Sequence, residues 1–484
     1  MLATALCLLV ISLPIVLIVI VVALRLRVAA SSGQVLAGEE TVAFFHPYAH
    51  AGGGGERVLW CSIRALQQRH PGVGCVVYTG DVEVSPSDLL AQASKRFGVD
   101  INPEGVHFVF LKGRHWVDAS SWPRFTLLGQ SLGSLVLGWE ALSQFRPDIF
   151  IDSMGYAFTL PLFRIIGGCR VGCYVHYPTI STDMLEQVRG RRSDGVCNDA
   201  LVARSRALSS AKLLYYRIFA ALYGLAGSFA EVVLVNSSWT RNHIIALWKM
   251  PARTSIAYPP CDTASFAALP LERAEKDFPA LVLSLAQFRP EKNHALQLRA
   301  FSQYLKGGGS RARLVLAGGC RDEADAARVK DLQKLAAELG LREDGQAADW
   351  NVSFKTNVPL QEMQKLLAQA DVGLHTMRDE HFGISVVEFM AAGAVVVAHN
   401  SAGPAMDIVT PLPDGRRTGL LATDDDDYAR QLKVVLDDMS AGQRLEMAAA
   451  AREAVRHRFS QEVFEEVVAE RLVAPLRTPG KRET

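Results

Sequence analysis

The sequence predicts an α/β protein: two doubly wound parallel-sheet domains facing a cleft, behind an N-terminal transmembrane helix. Three observations carry this reading. Short apolar runs alternate with helical patterns from residue 41 to residue 398, the signature of parallel sheets covered by helices. The Pro-rich turn Tyr258-Pro-Pro-Cys-Asp-Thr divides the runs into two sets, as a linker does. Residues 1–24 contain no Asp, Glu, Lys or Arg.

At 484 residues the chain has room for two large domains plus extras, at roughly 150 residues per domain. With 49% apolar and 21% charged residues it is neither disordered, nor collagenous, nor a small disulfide scaffold. Lys plus Arg is 51 against 50 for Asp plus Glu, so no global basic field points to a nucleic-acid partner.

Residues 5–24 form an apolar run interrupted only by Ser12 and Pro14. The run is long enough for a bilayer core of about 30 Å, and membrane helices tolerate a proline. A cleaved signal peptide, the competing reading, calls for a basic start and a shorter apolar stretch. Arg25 and Arg27 follow at once, and such residues mark the cytosolic side, so the bulk of the chain is expected to face the cytosol. The eight cysteines lack disulfide or metal spacing and read as reduced thiols. The expected organisation is an anchor with basic flank at 1–27, a first domain at 38–258 and a linker at 259–270. A second domain at 271–476 and a disordered tail at 477–484 complete it.

The first set of strands is expected at 41–45, 75–79, 107–110, 148–151, 171–175 and 232–235, the second at 281–285, 313–317, 352–354, 372–375 and 394–398. In such sheets ligands bind beyond the carboxyl ends of the strands, so the residues after each strand are where chemistry belongs. Two further stretches, 125–139 and 218–230, are uncharged but too short to span a bilayer. They read either as buried helices or as monotopic insertion, with Lys212, Tyr215, Tyr216 and Arg217 placed as interfacial anchors. The acidic run 423–427 reads as a helix N-terminus, where carboxylates complement free amides, rather than as a metal site.

Three constellations follow strands. After the first strand comes His46-Pro-Tyr-Ala-His-Ala-Gly-Gly-Gly-Gly-Glu56-Arg57. Its glycines, with Gly53 and Gly54 at the centre, allow a backbone to approach a diphosphate or sugar at a helix N-terminus. A nicotinamide-dinucleotide reading, with Asp81 on the ribose, fails where the motif needs glycine and finds Arg57. After the strand at 281–285 stand Arg289 and Lys292, two cations flanking Pro290 at a helix start and suited to a diphosphate. The third, Asp379 to Gly393, sits between two strands. Gly383 and Ile384 open a short helix whose amides can hold phosphate, with Glu380 before it and Glu388 inside it. Carboxylates flanking such a helix start are suited to accepting hydrogen bonds from hydroxyls, and a Glu is almost never fully buried without a partner.

These residues resemble the retaining glycosyltransferases of the GT-B fold, with two Rossmann-like domains. Glu380 and Glu388 stand as their E-x7-E motif, Arg289 and Lys292 as their diphosphate clamp. FFHPYAHAGGGGERVLW, FTLLGQSLGSLVLGWEAL, DSMGYAFTLPLF, YVHYPTISTDML, VNSSWT, QFRPEKNH and HNSAGP together resemble the endoplasmic-reticulum α-1,2-mannosyltransferase family of asparagine-linked glycosylation, over residues 42–459. The resemblance implies transfer of mannose from GDP-mannose, with retention and without a metal or other cofactor. The implied acceptor is dolichyl-pyrophosphate-linked trimannosyl-chitobiose, which gains its fourth and fifth mannoses at the cytosolic face of the endoplasmic-reticulum membrane. Other mannosyltransferases of the pathway are implied as partners. It further implies that Glu380 holds mannose hydroxyls and Glu388 the ribose, and that Gly53 and Gly54 approach the donor phosphate as the cleft closes. His176, after the strand at 171–175, is a candidate contact to sugar or acceptor. The alternatives are another lipid-linked sugar transferase and a non-catalytic nucleotide-sugar-binding subunit.

Overall fold

The computed structural model describes residues 19–28, 40–190, 205–271, 279–344 and 351–477. The chain divides into two units, the first made of Met1–Asn236, Thr240–Ala257 and Glu465–Thr484, the second of Ser237–Trp239 and Tyr258–Phe464.

The first unit is built on seven parallel strands: β1 (Glu40–Phe45), β2 (Val73–Thr79), β3 (Val106–Phe110), β4 (Ile149–Asp152), β5 (Arg170–Val175), β6 (Val232–Val235) and β7 (Thr254–Ile256). Their order in the sheet is 3-2-1-4-5-6-7, so the direction of winding reverses between β1 and β4. Every residue of β1 and β2 is buried, which explains why both read as continuous apolar runs without alternation. Helix α1 (Gly54–Arg69) follows β1. Helices α2 (Thr126–Gln144) and α3 (Arg206–Gly227) carry the two uncharged stretches.

The second unit holds β8 (Ala280–Leu285), β9 (Ala312–Gly318), β10 (Val352–Thr356), β11 (Val372–His375), β12 (Val395–His399) and β13 (Leu420–Ala422), all parallel. The order 10-9-8-11-12-13 places its reversal between β8 and β11. Separate apolar clusters cover its two faces, one centred on Leu283, Phe389 and Met390, the other on Leu314, Phe301 and Tyr428. Helix α4 (His294–Lys306) follows β8 and helix α5 (Ile384–Ala392) follows β11. Asp424 caps α6 (Asp425–Lys433) by accepting from the Asp427 amide, the role expected of the acidic run.

Several sequence expectations need correction. β7 and β13 were not expected, because three residues are too few to display a period. The stretch 259–270 is no free linker: it contains a short helix, Thr263–Ala267, and buries Phe266 and Cys261 in the second unit, with the Cys261 amide bonded to the Phe459 carbonyl. The second domain does not run to residue 476. From Glu465 the chain returns to the first unit, where Glu465 pairs with Arg64 at 2.7 Å and Arg477 with Glu40 at 2.6 Å. Leu472 and Leu476 there pack against Gly172 of β5, where a Cβ would come within 2.8 Å of Leu476.

Most of the expected anchor, residues 1–18, and the tail at 478–484 lie outside the described residues. Residues 19–28 are helical, and among the described residues no helix is long and apolar enough to cross a membrane. Nor are α2 and α3 fully buried helices. Leu137, Ala141 and Leu142 of α2 and Phe219, Ala220 and Tyr223 of α3 enter the core of the first unit, while each helix also keeps an exposed apolar face.

Candidate active site

In the second unit Lys292 and Glu380 of the predicted site meet at the point where the winding reverses. Arg289 and Lys292 follow β8, Glu380 follows β11, and these strands are neighbours. Ligands of doubly wound sheets bind at this crevice beyond the strand ends. Lys292 Nζ lies 2.5 Å from Glu380 Oε2, and His375 Nε2, at the end of β11, lies 3.2 Å from the same oxygen. Burial alone would raise the Glu380 pKa, but the hydrogen bond from His375 and the Lys292 ammonium reverse this and hold the carboxyl well below its ordinary range. Glu380 is therefore a fixed anion that can accept hydrogen bonds from hydroxyls.

The loops carrying these groups are fastened to each other. Thr376 donates its hydroxyl to the Lys292 carbonyl at 2.9 Å, and Gln297 of α4 donates to Thr376 Oγ1 at 2.9 Å. The Tyr428 hydroxyl of α6 donates to the His375 carbonyl at 2.7 Å. We expect Thr376→Val to cost about 1–3 kcal/mol, because the Gln297 amide loses its buried acceptor and the Lys292 carbonyl a donor. Thermal melting measures this.

Among the described residues Arg289 leaves its buried Nε without a hydrogen-bond partner, and its guanidinium makes a long contact, 3.8 Å, to Glu291. It is thus a donor in reserve for an anion. Gly383 caps α5 with φ +110°, a conformation that favours glycine. The amides of Ile384 and Ser385 open the helix without intrahelical acceptors, an anion-binding end. Glu388 lies one turn further and is half-buried. Gly403, in the quoted HNSAGP run, donates its amide to the Glu380 carbonyl at 2.9 Å. A Cβ there would stand 2.4 Å from the Phe382 carbonyl oxygen. Ser401 Oγ accepts the Asp379 amide at 2.8 Å, so the segment after β12 forms the seat of the Glu380 loop.

In the first unit the corresponding reversal lies between β1 and β4, and two histidines face it. Ser153, after β4, donates its hydroxyl to the Phe45 carbonyl and so accepts from His46 Nδ1 at 2.9 Å. The Ser153 carbonyl accepts from His176 Nε2 at 3.0 Å. Both tautomers are thereby fixed, leaving lone pairs on His46 Nε2, which has no partner, and on His176 Nδ1. Burial pushes His46 down to about 3, with the His176 ring adding to it, and His176 down to about 4, so both are neutral bases at neutral pH. A Cβ on Gly55 would lie 3.8 Å from His176 Nε2 and 3.9 Å from His46 Cε1, which places both rings beside the start of α1.

Gly53 caps that helix, but its amide is taken by Glu56 Oε2 at 2.5 Å, so the free amides are those of Gly54 and Gly55. Asp81 serves the loop rather than a ribose. It accepts from the His50 amide at 3.0 Å and pairs with Arg114 at 2.5 Å.

The two depressed histidines set a pH dependence. An unfolded His binds its proton near pH 6.5 and these do not until about 4 and 3, so the unfolded state holds more protons in that window. Stability should fall as pH drops from 6.5 toward 4. We expect the melting temperature of His46→Gln to decline less steeply over that range than that of the wild type; parallel curves would refute the assignment.

Sequence reasoning placed Arg289, Lys292, Glu380, Gly383, Ile384 and His176 at strand ends, and the structure brings Lys292 and Glu380 into contact. It missed His375, Thr376, Gln297, Gly403, His46 and Ser153. His46, Ser153 and Gly403 lay inside the motifs given above without a role of their own, and Gln297 showed as a polar residue within the apolar pattern of α4.

A paired cation and carboxylate at the reversal point of a doubly wound unit, beside a phosphate-suited helix start, fits a glycosyltransferase of the two-Rossmann-domain class, and the comparisons with known proteins place the chain in that class. Residues 270–457 match the family model described as glycosyl transferases group 1, and residues 39–248 that of the ALG11 mannosyltransferase N-terminus. The chain is 52% identical over 431 residues to a Mus musculus protein named GDP-Man:Man(3)GlcNAc(2)-PP-Dol alpha-1,2-mannosyltransferase, covering 88% of this chain and 85% of that one. A Dictyostelium discoideum protein of the same name is 45% identical over 434 residues, covering 88% and 83%. The chain belongs to this ALG11 mannosyltransferase family. Among solved structures, Anabaena HepE in complex with UDP and glucose is similar in fold, with a TM-score of 0.58 at 17% identity, covering 90% of this chain and all of that one. Sucrose-phosphate synthase from Thermosynechococcus elongatus reaches 0.62 at 17% identity, covering 89% and 98%.

Proposed function

We propose that the protein transfers mannose from GDP-mannose, with retention, to dolichyl-pyrophosphate-linked trimannosyl-chitobiose. It would add the fourth and fifth mannoses in α-1,2 linkage at the cytosolic face of the endoplasmic-reticulum membrane, held there by the apolar leader. The observation that carries this reading is the Lys292–Glu380 pair at the strand ends of a chain 52% identical to proteins of that name.

In this reading the bond from mannose C1 to the phosphate oxygen breaks as the acceptor oxygen bonds C1 on the same face. The acceptor proton passes to the departing phosphate oxygen. Arg289, Lys292 and the amides of Ile384 and Ser385 offset the charge growing on GDP, the fixed positive charge that a metal would otherwise supply. Glu380 accepts from mannose hydroxyls and Glu388 from the ribose. In the first unit the His176 lone pair is suited to a sugar hydroxyl, and the glycine loop to a phosphate oxygen. Incubation with labelled GDP-mannose and UDP-N-acetylglucosamine, each with a pyrophosphoryl-lipid acceptor, tests the reading. Mannosyl product that persists in EDTA is expected; product from the UDP sugar alone overturns it.

A further inference from the structure

The loop that carries Glu380 is strained and is held from outside. Asp379 sits at φ +57°, a left-handed conformation that a non-glycine residue keeps only where its surroundings enforce it, and Gly383 closes the loop at φ +110°. Asp379 and Glu380 are held by Ser401 and Gly403 of the segment after β12. His381 and Phe382 are held from elsewhere in the chain. The Trp239 indole lies against the His381 ring, with centroids 5.1 Å apart and planes tilted by 33°. Tyr258 stacks on Phe382 at 5.7 Å, and Phe459 meets these two rings edge-on at 5.0 and 5.5 Å.

Trp239 and Tyr258 bracket one passage of the chain. Ser237–Trp239 group with the second unit, although Asn236 before them and Thr240 after them belong to the first. Thr240–Ala257, which include β7, are all of the first unit, and at Tyr258 the second unit resumes. One carboxylate fastens both ends of this passage. Asp407, 1% exposed, accepts the Ser238 amide on Oδ2 at 2.9 Å. Its Oδ1 accepts the Ser238 hydroxyl at 2.6 Å and the Tyr258 hydroxyl at 2.9 Å. Arg458 donates to the Asp407 carbonyl at 2.5 Å and lies over the Tyr258 ring, 5.7 Å from its centroid. A buried carboxylate is costly unless donors are fixed around it, so this arrangement holds Ser238 and Tyr258 in place. The VNSSWT run, which carries Ser238 and Trp239, has no part in the transfer chemistry described above.

We propose that Trp239 and Tyr258, fastened by Asp407, are positioning residues for the transfer reaction: they hold His381 and Phe382 and so set the direction of the neighbouring Glu380 carboxylate. A shift at either end of Thr240–Ala257 is then felt at Glu380. The rate effect rests on the mannosyl-transfer reading; the holding of the loop does not.

The full chain in detergent micelles tests this with Trp239→Ala and Trp239→Phe, read in two ways. In hydrogen–deuterium exchange, a peptide spanning residues 379–390 should exchange faster in Trp239→Ala than in the wild type, and one from β9 equally in both. In mannosyl transfer, kcat should fall by about 10- to 100-fold, the cost of misplacing a catalytic group by up to ~1 Å. Affinity for GDP, which carries no mannose for Glu380 to hold, should stay unchanged. Trp239→Phe keeps a ring against His381 and should restore most of the rate. Adding His381→Ala to Trp239→Ala should lose little more, because the two side chains act through one contact. Should Trp239→Ala fail to fold, Ser238→Ala, which removes one bond to Asp407, is read in the same two ways. Unchanged exchange at 379–390 or unchanged kcat overturns the proposal. So does a loss of GDP affinity in step with kcat, which marks damage to the whole second unit. A wild-type protein that makes no mannosyl product fails the transfer reading instead, and the exchange comparison still decides whether Trp239 holds the loop.

Discussion

Replacing Glu380 by glutamine is expected to lower kcat by about 10²- to 10³-fold, the usual cost of losing one preorganised electrostatic contact. The amide still offers an oxygen to sugar hydroxyls, so KM for the donor should move less than kcat. It cannot neutralise Lys292, whose ammonium sits 2.5 Å away, nor accept as strongly from His375. Lys292→Met should cost a similar factor, because it removes the cation proposed for the diphosphate and also leaves Glu380, 13% exposed, without its countercharge. The double variant should lose little more than the worse single one, since the residues act as a unit. Steady-state kinetics with labelled donor measures all three; multiplicative losses would mean that the two residues act independently rather than as a pair.

Gly403→Ala should be nearly as damaging without touching a charged group. The new methyl would sit 2.4 Å from the Phe382 carbonyl oxygen and 2.7 Å from its Cα, both backbone atoms that no rotamer change can move aside. The loop must shift, and it is the loop whose Glu380 carbonyl accepts the Gly403 amide. Overpacking of this kind costs about 1–3 kcal/mol in stability. A displacement of Glu380 by even ~1 Å can cost about 100-fold in rate. Melting and transfer rate should therefore both fall. A variant that melts like the wild type with normal turnover would show that the segment after β12 has no part in seating Glu380.

The residues legible in the sequence are those that follow strands, because a strand end is visible in one dimension. Arg289, Lys292, Glu380 and Gly383 were found in this way. The residues that hold them were not, because they depend on which strands adjoin. Thr376 reaches the Lys292 carbonyl only because β11 lies beside β8 rather than beside β10, and Ser153 reaches His46 only because β4 lies beside β1. Strand order is a tertiary choice that local pattern does not record. The glycines were legible as a loop, but not that Glu56 would bind the Gly53 amide. Periodicity was also silent on α2 and α3, since a helix apolar on all sides reads alike whether protein or lipid surrounds it. The return of residues 465–477 to the first unit rests on the Arg477–Glu40 and Arg64–Glu465 pairs, each more than 400 positions apart.

That return makes the second unit an insertion within the first, with a consequence for biosynthesis. Glu40 and Gly172 leave the ribosome before the second unit, but the residues that pack on them, Leu472, Leu476 and Arg477, only after it. At about 5–20 residues per second, the roughly two hundred residues of the second unit, Tyr258–Phe464, impose a wait on the order of 10–40 s between the two parts of the first. The second unit can mature during this interval while the first stands incomplete. A stop codon just before Leu472 would therefore injure the half translated first, leaving the second unit whole yet the chain exposed to aggregation and proteolysis through its amino-terminal sheet.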